Sequence, residues 1–332
     1  MTEKITYHNL LKVAFLVISL GLFSCNNGNV NTKYIQYNQT QKINRNLPPV
    51  VATTSILCDL TKQVAGNTIN LTCLIPPGLD PSIYQPTPED IQAIEQAKLI
   101  LYHGYNFEPR LIKVIQNIKT NAPKIAVSQS AVTQPEILQK NGINFTEPHI
   151  WHNVKNTIQI VEVINNNLGT LLPQHKKQYS SNTSKLTKEL NNLHNWVKST
   201  LATIPHKNRK LLTTHEAMIY YVKAYGFPYK GSLPDIRDED NLTDTRVKNL
   251  AEYIQKAKVP TLFADTTTNL MLLEPITKQA NVKLFSRQLY IDGLGKPGSD
   301  GETYQKMMDA NTRSIVEGLG GTYLKFTPNL RK

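Results

Sequence analysis

Apolar and polar positions alternate in blocks along the first third of the chain. "PPVVATTSILCDLTKQVAGNTINLTCLIPPG" opens with the apolar, β-branched run Val50–Thr53. It then places Ile56, Leu60 and Val64 four residues apart before Gly66, and returns to an apolar run at Ile69–Ile75. The period goes from two to about 3.6 and back, which predicts strand, helix, strand, with Ser55 as the helix cap and Gly66 as its end. The loop "GLDPSIYQPTPEDI" follows, then a helix from about Pro88 to Ala97, then strands in "KLILYHG" and "PKIAVSQ". Such alternation argues for a parallel sheet covered by helices on both faces.

The pattern then changes. From about Lys155 to Ile204 the chain reads as helix without a strong strand. Leu186, Leu190, Leu193, Val197 and Leu201 recur at spacings of three and four, forming one amphipathic face over several turns. At about 1.5 Å per residue such a helix can run the length of the molecule. Afterwards the alternation resumes. "RKLLTTHEAMIYYVKAYGF" predicts strand, turn and helix, "VPTLFADTTTN" and "VKLFSRQLYID" each begin as strands, and "TYQKMMDANTRSIVEGLGG" predicts a closing helix ended by glycine. The fold class is α/β, with two lobes and one long helix between them. No close repeat relates the lobes in sequence.

The N-terminus sets the compartment. Lys4 and Lys12 precede an apolar core from Val13 to Phe23, shorter than the roughly 20 residues that span a bilayer, as in a secretory signal peptide. It ends in Leu22-Phe23-Ser24-Cys25, which resembles a bacterial lipobox and marks Cys25 as a lipid anchor. The alternative is an ordinary signal peptide that happens to end near a cysteine. Residues 26–47 are polar and Asn-rich, as in a flexible tether. The expected divisions are a signal peptide (1–25), a tether (26–47), a first α/β lobe (48–170), a linking helix (171–204) and a second α/β lobe (205–332). The protein is therefore expected outside the cytoplasm, in the periplasm or on the cell surface.

Composition narrows the function classes. The 332 residues carry 37 Lys and Arg against 25 Asp and Glu, a net charge of +12. The basic residues are scattered rather than clustered, which argues against nucleic acid as a partner. Beyond Cys25 only Cys58 and Cys73 remain. They can pair in an oxidising compartment, or each can be a small buried thiol. No Cys-x-x-Cys pattern suggests a cysteine metal site.

In parallel α/β lobes ligands gather at the carboxyl ends of strands. The polar side chains just past the predicted strands are Asp80, Ser82, His103, His149 with His152, His215 with Glu216, and Asp292. Several histidines and an acid in such places suggest a metal site for zinc, manganese or iron, although any one histidine can equally be structural. Asp265 ends a strand on the same side and is a candidate to orient a histidine.

Four stretches together carry a resemblance. "PPGLDPSIYQPTPEDIQAIEQAKLILYHG", "EPHIWHNVKN", "TTHEAMIYYVKAYGF" and "RQLYIDGLGKPGSDGETYQKMMDANTRSI" resemble, in order, the metal-site segments of the metal-binding lipoproteins of zinc and manganese ABC importers (cluster A-I solute-binding proteins). The similarity covers roughly residues 48–325. It implies two lobes joined by a long rigid helix, with a divalent transition metal, Zn2+ or Mn2+ before Fe2+, held between them. It places His149, His215 and Asp292 on ligand positions. The same resemblance expects histidine where Ser82 stands, so the first loop has a metal-site frame with a degenerate ligand position. His103 is unexpected in that family and is a candidate additional ligand; His152 reads as a solvent-facing or helix-capping residue.

The implied function is capture of the metal and delivery to an ABC permease and its ATPase. The implied protein is a monomer, held to the membrane by its lipid, that catalyses no reaction. Two rivals share the frame: a metal-dependent hydrolase and a non-transport surface adhesin or sensor. No His-Glu-x-x-His motif supports the hydrolase.

Overall fold

The computed structural model describes residues 46–140, 142–233 and 242–328. The signal peptide, Cys25 and almost all of the tether lie outside the described residues.

The first lobe is built on β1 (Pro49–Ala52), with α1 (Ser55–Ala65), β2 (Asn70–Cys73), α2 (Pro88–Gln96), β3 (Leu99–Tyr102), α3 (Pro109–Asn117), β4 (Lys124–Ala126) and α4 (Val127–Ala131) following in order. All strand pairs are parallel, in the order β2-β1-β3-β4. Alternation along the strands explains why both faces are covered. Val50, Ala52, Leu99 and Leu101 point into the large core shared with α1. Val51 and Ile100 point the other way, against Ile94 of α2 and Leu111 and Ile115 of α3. Each of the Val, Leu and Ile side chains among them, taken fully out of water, contributes about 1.5–3 kcal/mol.

Thr54, not Ser55, caps α1: its hydroxyl accepts from the Leu57 amide at 3.3 Å. The Ser55 hydroxyl accepts instead from the Leu294 amide of the other lobe, at 3.0 Å. Gly66 ends the helix with φ 59°. Cys58 of α1 and Cys73 of β2 form a disulfide, with Cα atoms 5.7 Å apart, so the pairing alternative holds.

After α4 the chain forms an antiparallel hairpin, β5 (Ile137–Lys140) and β6 (Ile143–Thr146). The alternating-block reading did not predict it. Its sequence signal is the Asn141-Gly142 pair, and Gly142 takes φ 79°. The hairpin reaches toward the second lobe, where the Glu136 amide donates to Tyr220 Oη at 2.8 Å.

Two helices follow, α5 (Val154–Leu171) and the 26-residue α6 (Lys176–Leu201), separated by a single 3-10 turn beginning at Pro173. At 1.5 Å per residue α6 is about 39 Å long. Leu186, Leu190, Leu193, Val197 and Leu201 are all buried along it, as their spacing predicts.

The second lobe contains β7 (Leu211–Thr213), α7 (Ile219–Tyr225), β8 (Tyr229–Ser232), α8 (Asp244–Ala257), β9 (Thr261–Leu262), α9 (Leu270–Ala280), β10 (Lys283–Leu284) and α10 (Tyr304–Gly318). β7 pairs with β8 and β9 with β10, both parallel, and a parallel bridge between Thr213 and Phe263 joins the two pairs. The resulting order, β8-β7-β9-β10, repeats that of the first lobe, although the two sequences show no close repeat. α10 returns to the first lobe. The Tyr304 hydroxyl donates to the Trp151 carbonyl at 2.7 Å, and its amide donates to Asp59 Oδ2 at 2.9 Å.

Candidate metal centre

Three segments converge between the lobes. The first is Glu147-Pro148-His149, just past β6. His149 is 4% exposed and Glu147 1%. The Glu147 carboxylate accepts from the His149 amide at 2.9 Å and is also hydrogen-bonded to its Nδ1. That bond sets the ring orientation and turns Nε2 toward the cleft, an arrangement common to metal-binding histidines.

The second segment follows β7. The His215 carbonyl accepts from the Thr213 hydroxyl at 2.8 Å and from the Ala217 amide at 3.1 Å, which fixes the turn before α7. The third is the loop after β10 that carries Asp292. Its neighbours are tied to the first lobe on both sides. The Ile291 carbonyl accepts from His152 Nε2 at 3.1 Å, and the Leu294 amide donates to Ser55. Between them, a Cβ on Gly293 would lie 2.7 Å from Ser55 Oγ, so this close approach requires glycine.

The three side chains meet at one point. Asp292 Oδ1 lies 3.1 Å from His149 Nε2 and 3.4 Å from His215 Nε2, and one ligand atom of each residue lies within 4.8 Å of the others. Burial opposes charge on the His149 ring, but Glu147 and Asp292 on either side outweigh it and raise its pKa to about 9. In the metal-free protein a proton therefore occupies the position a cation would take.

The loop Gly78–Ile91 forms a wall of the same cleft, which has a volume of about 510 Å³ and is lined by Asp80, Ser82, His149, His215 and Asp292 among others. Asp80 Oδ1 accepts from both the amide and the hydroxyl of Ser82, at 2.9 and 2.7 Å. Ser82 thus spends its hydroxyl proton on shaping the loop. Tyr84 also acts within the loop, donating to Asp90 Oδ2 at 2.8 Å.

Three sequence expectations are corrected here. His103 does not join the cluster. It is fully buried, its Nε2 donates to the Pro148 carbonyl at 2.8 Å, and its Nδ1 accepts from Ser128 Oγ at 3.2 Å. Burial lowers its pKa to about 3. Packed against Phe107 and Trp151, it supports the residue before His149. His152 is neither solvent-facing nor a cap: it is fully buried and holds the Asp292 loop through Ile291. Asp265 orients no histidine. It accepts from the hydroxyls of Thr214 and Thr268 at 2.7 and 2.8 Å and so braces the residue before His215. The residue that does orient a histidine is Glu147, in "EPHIWHN". Its only sequence signal is an acid two positions before a ligand histidine.

A two-lobed α/β frame with a rigid helix and two imidazoles and a carboxylate meeting in the cleft defines an extracytoplasmic solute-binding protein for a divalent transition metal. The chain belongs to the family described as "ZnuA: Zinc-uptake complex component A periplasmic", whose pattern matches residues 50–318. It is similar to the manganese ABC transporter substrate-binding lipoprotein PsaA of Streptococcus pneumoniae, 30% identical over 310 residues that cover 92% of this chain and 96% of the relative. It is also similar to the metal ABC transporter substrate-binding lipoprotein ScbA of Streptococcus cristatus, 31% identical over 93% of this chain and 99% of the relative. Among solved structures, the periplasmic zinc-binding protein TroA from Treponema pallidum superposes with a TM-score of 0.73 at 28% identity, covering 82% of this chain and 99% of that one. The protein is thus a binding component of an ABC importer and not an enzyme. Its disulfide suits an oxidising, extracytoplasmic compartment.

Proposed function

We propose that the protein captures zinc through His149, His215 and Asp292 and hands it to a membrane permease powered by an ATPase, while a lipid on Cys25 holds it at the membrane. The observation that carries this reading is the spacing of the donors. Around a tetrahedral zinc with bonds of about 2.0–2.2 Å, neighbouring ligand atoms lie about 3.3–3.6 Å apart. The two separations to Asp292 are 3.1 and 3.4 Å, and the three ligand atoms all lie within 4.8 Å of one another, so the carboxylate already stands at bonding distance for a cation shared with either imidazole. Two imidazoles with one carboxylate also suit zinc better than the oxygen-rich shells manganese prefers. Residues 48–170 and 205–332 serve as the two lobes, with the segment 171–204 as the rigid connector between them.

Manganese is the second reading, favoured by the relatives described as manganese transporters. Elemental analysis decides between them, on protein unfolded, stripped, refolded without metal and exposed to a mixture of manganese, iron and zinc. One equivalent of zinc is expected, lost in His149→Ala and in His215→Ala. Predominant manganese favours the second reading, and no retained metal rejects both. Labelling of cells with a fatty-acid analogue tests the anchor: Cys25→Ala should lose the label.

A further inference from the structure

Lysines scattered along the sequence are gathered by the first lobe at one end. In a parallel sheet with helical crossovers, strands begin and helices finish at the same end. Lys62 lies in the last turn of α1, Lys98 immediately before β3 and Lys119 just past α3, and Lys124 opens β4. Lys176 and Lys177 open α6, which starts beside the turn after α1. Thr68 Oγ1 there lies 2.6 Å from Tyr179 Oη, and Asn182 Nδ2 donates to the Val64 carbonyl at 2.9 Å. Carbonyls at helix ends favour lysine, and Lys124 donates to one, that of Ile118, at 2.7 Å. The same effect disfavours cations at a helix start, so it does not account for Lys176 and Lys177. Lys62, Lys98, Lys119, Lys176 and Lys177 are exposed. Glu95, exposed in the last turn of α2, opposes them, as does Asp59, whose carboxylate already accepts from the Tyr304 amide. The lysines outnumber these acids.

The chain enters the lobe at this end. Asn46 leads into β1, whose first residue, Pro49, accepts at its carbonyl from the Lys98 amide at 2.8 Å. The preceding segment, residues 26–45, carries Lys33, Lys42 and Arg45 and neither Asp nor Glu. It connects this end to Cys25, the proposed lipid site. The second lobe also carries lysines near its helix ends and strand starts, among them Lys256, Lys278 and Lys283. What singles out the first lobe is that the basic segment leading to Cys25 joins it.

We propose that this end of the first lobe rests on the anionic phospholipid surface of the membrane. Each lysine near such a surface strengthens the contact about fivefold, and a basic patch beside a lipid chain is a second membrane signal. The metal site lies past the carboxyl ends of the strands, at the opposite end of the lobe. Docked in this way, the protein turns its cleft away from the bilayer, in a pose suited to capture. Delivery to the permease then requires release from the lipid surface. None of this depends on which metal is bound.

The test uses the mature chain from residue 26, which carries the whole described structure without a lipid. Co-sedimentation is measured with vesicles of phosphatidylglycerol and phosphatidylcholine, and with vesicles of phosphatidylcholine alone. Binding is expected to the first only, and should fall steeply as salt is added. Lys98→Gln, Lys119→Gln, Lys176→Gln and Lys177→Gln combined should weaken it several hundredfold, at about fivefold each. Lys248→Gln, Lys256→Gln, Lys278→Gln and Lys283→Gln combined remove the same charge from the second lobe and should leave binding unchanged. Both variants should melt as the wild type does. Equal binding to the two kinds of vesicle, or binding to neither, overturns the proposal. So does an equal loss in the second-lobe variant, which would make net charge the cause. Tighter binding to soluble polyphosphate through the same four lysines would assign this end to an anionic polymer and overturn the membrane reading as well.

Discussion

Glu147→Gln separates two effects of one carboxylate. Gln keeps an acceptor for the His149 Nδ1–H but removes the charge. In the wild type His149 titrates at about 9, the pull of Glu147 and Asp292 outweighing burial. At pH 7, two units lower, only about one ring in a hundred lacks its proton, so a metal must displace it at a cost of about 2.7 kcal/mol. Wild-type affinity should therefore rise about tenfold per pH unit from 7 to 9 and then level off. Removing the charge lowers the His149 pKa, because burial is then opposed by Asp292 alone. It also leaves a less basic ligand, and loss of such an orienting partner typically costs 10–100-fold in affinity, about 1.4–2.7 kcal/mol. Above pH 9, where neither protein carries the proton, the variant should show that full deficit. At pH 7 the deficit should shrink or vanish, because the variant no longer competes with a proton. Chelator-competition titrations from about pH 6 to pH 10 measure both curves. Parallel curves, with equal slopes and a constant offset, would show that Glu147 does not set the His149 proton affinity and would refute the reasoning.

Three further outcomes are expected. Metal-stripped protein should melt highest near neutral pH. His149, raised above its ordinary value of about 6.5, contributes stability that is complete below that value and lost as pH rises through about 9. His103 and His152, both lowered to about 3 by burial, contribute stability that is complete above about 6.5 and lost on acidification. Glu108, raised to about 7 by burial, offsets only one of those two histidines, so thermal scans should still fall on the acid side; a monotonic rise to pH 9 would contradict this. Replacing both Cys58 and Cys73 by serine removes a cross-link closing a loop of 15 residues and should cost about 3 kcal/mol in urea unfolding. Gly293→Ala should push the Asp292 loop off Ser55 and weaken zinc binding about tenfold or more, since the new Cβ has only 2.7 Å; Ser55→Gly in the same chain should restore much of it.

The local alternation of apolar and polar residues was enough to place most helices and strands, because each amphipathic segment has only one face it can bury. The long stripe on α6 and both faces of the first sheet were legible for that reason. The residue types of the site were legible too: histidine or aspartate just past a strand, in segments with a recognisable order. The repeated strand order of the second lobe was not, because β9 and β10 are only two residues each and their pairing depends on segments far apart in the chain. Residue type and position past a strand did not by themselves separate His149 from His103 or His152; only the family resemblance set His149 apart, and it left the roles of the other two undecided or misread. All three are buried, and what separates them is which atom lies opposite each ring: the Asp292 carboxylate 143 residues away, or the carbonyls of Pro148 and Ile291. Whether an imidazole is a ligand or a strut is decided by such long-range partners, and only the folded chain brings them within hydrogen-bonding distance.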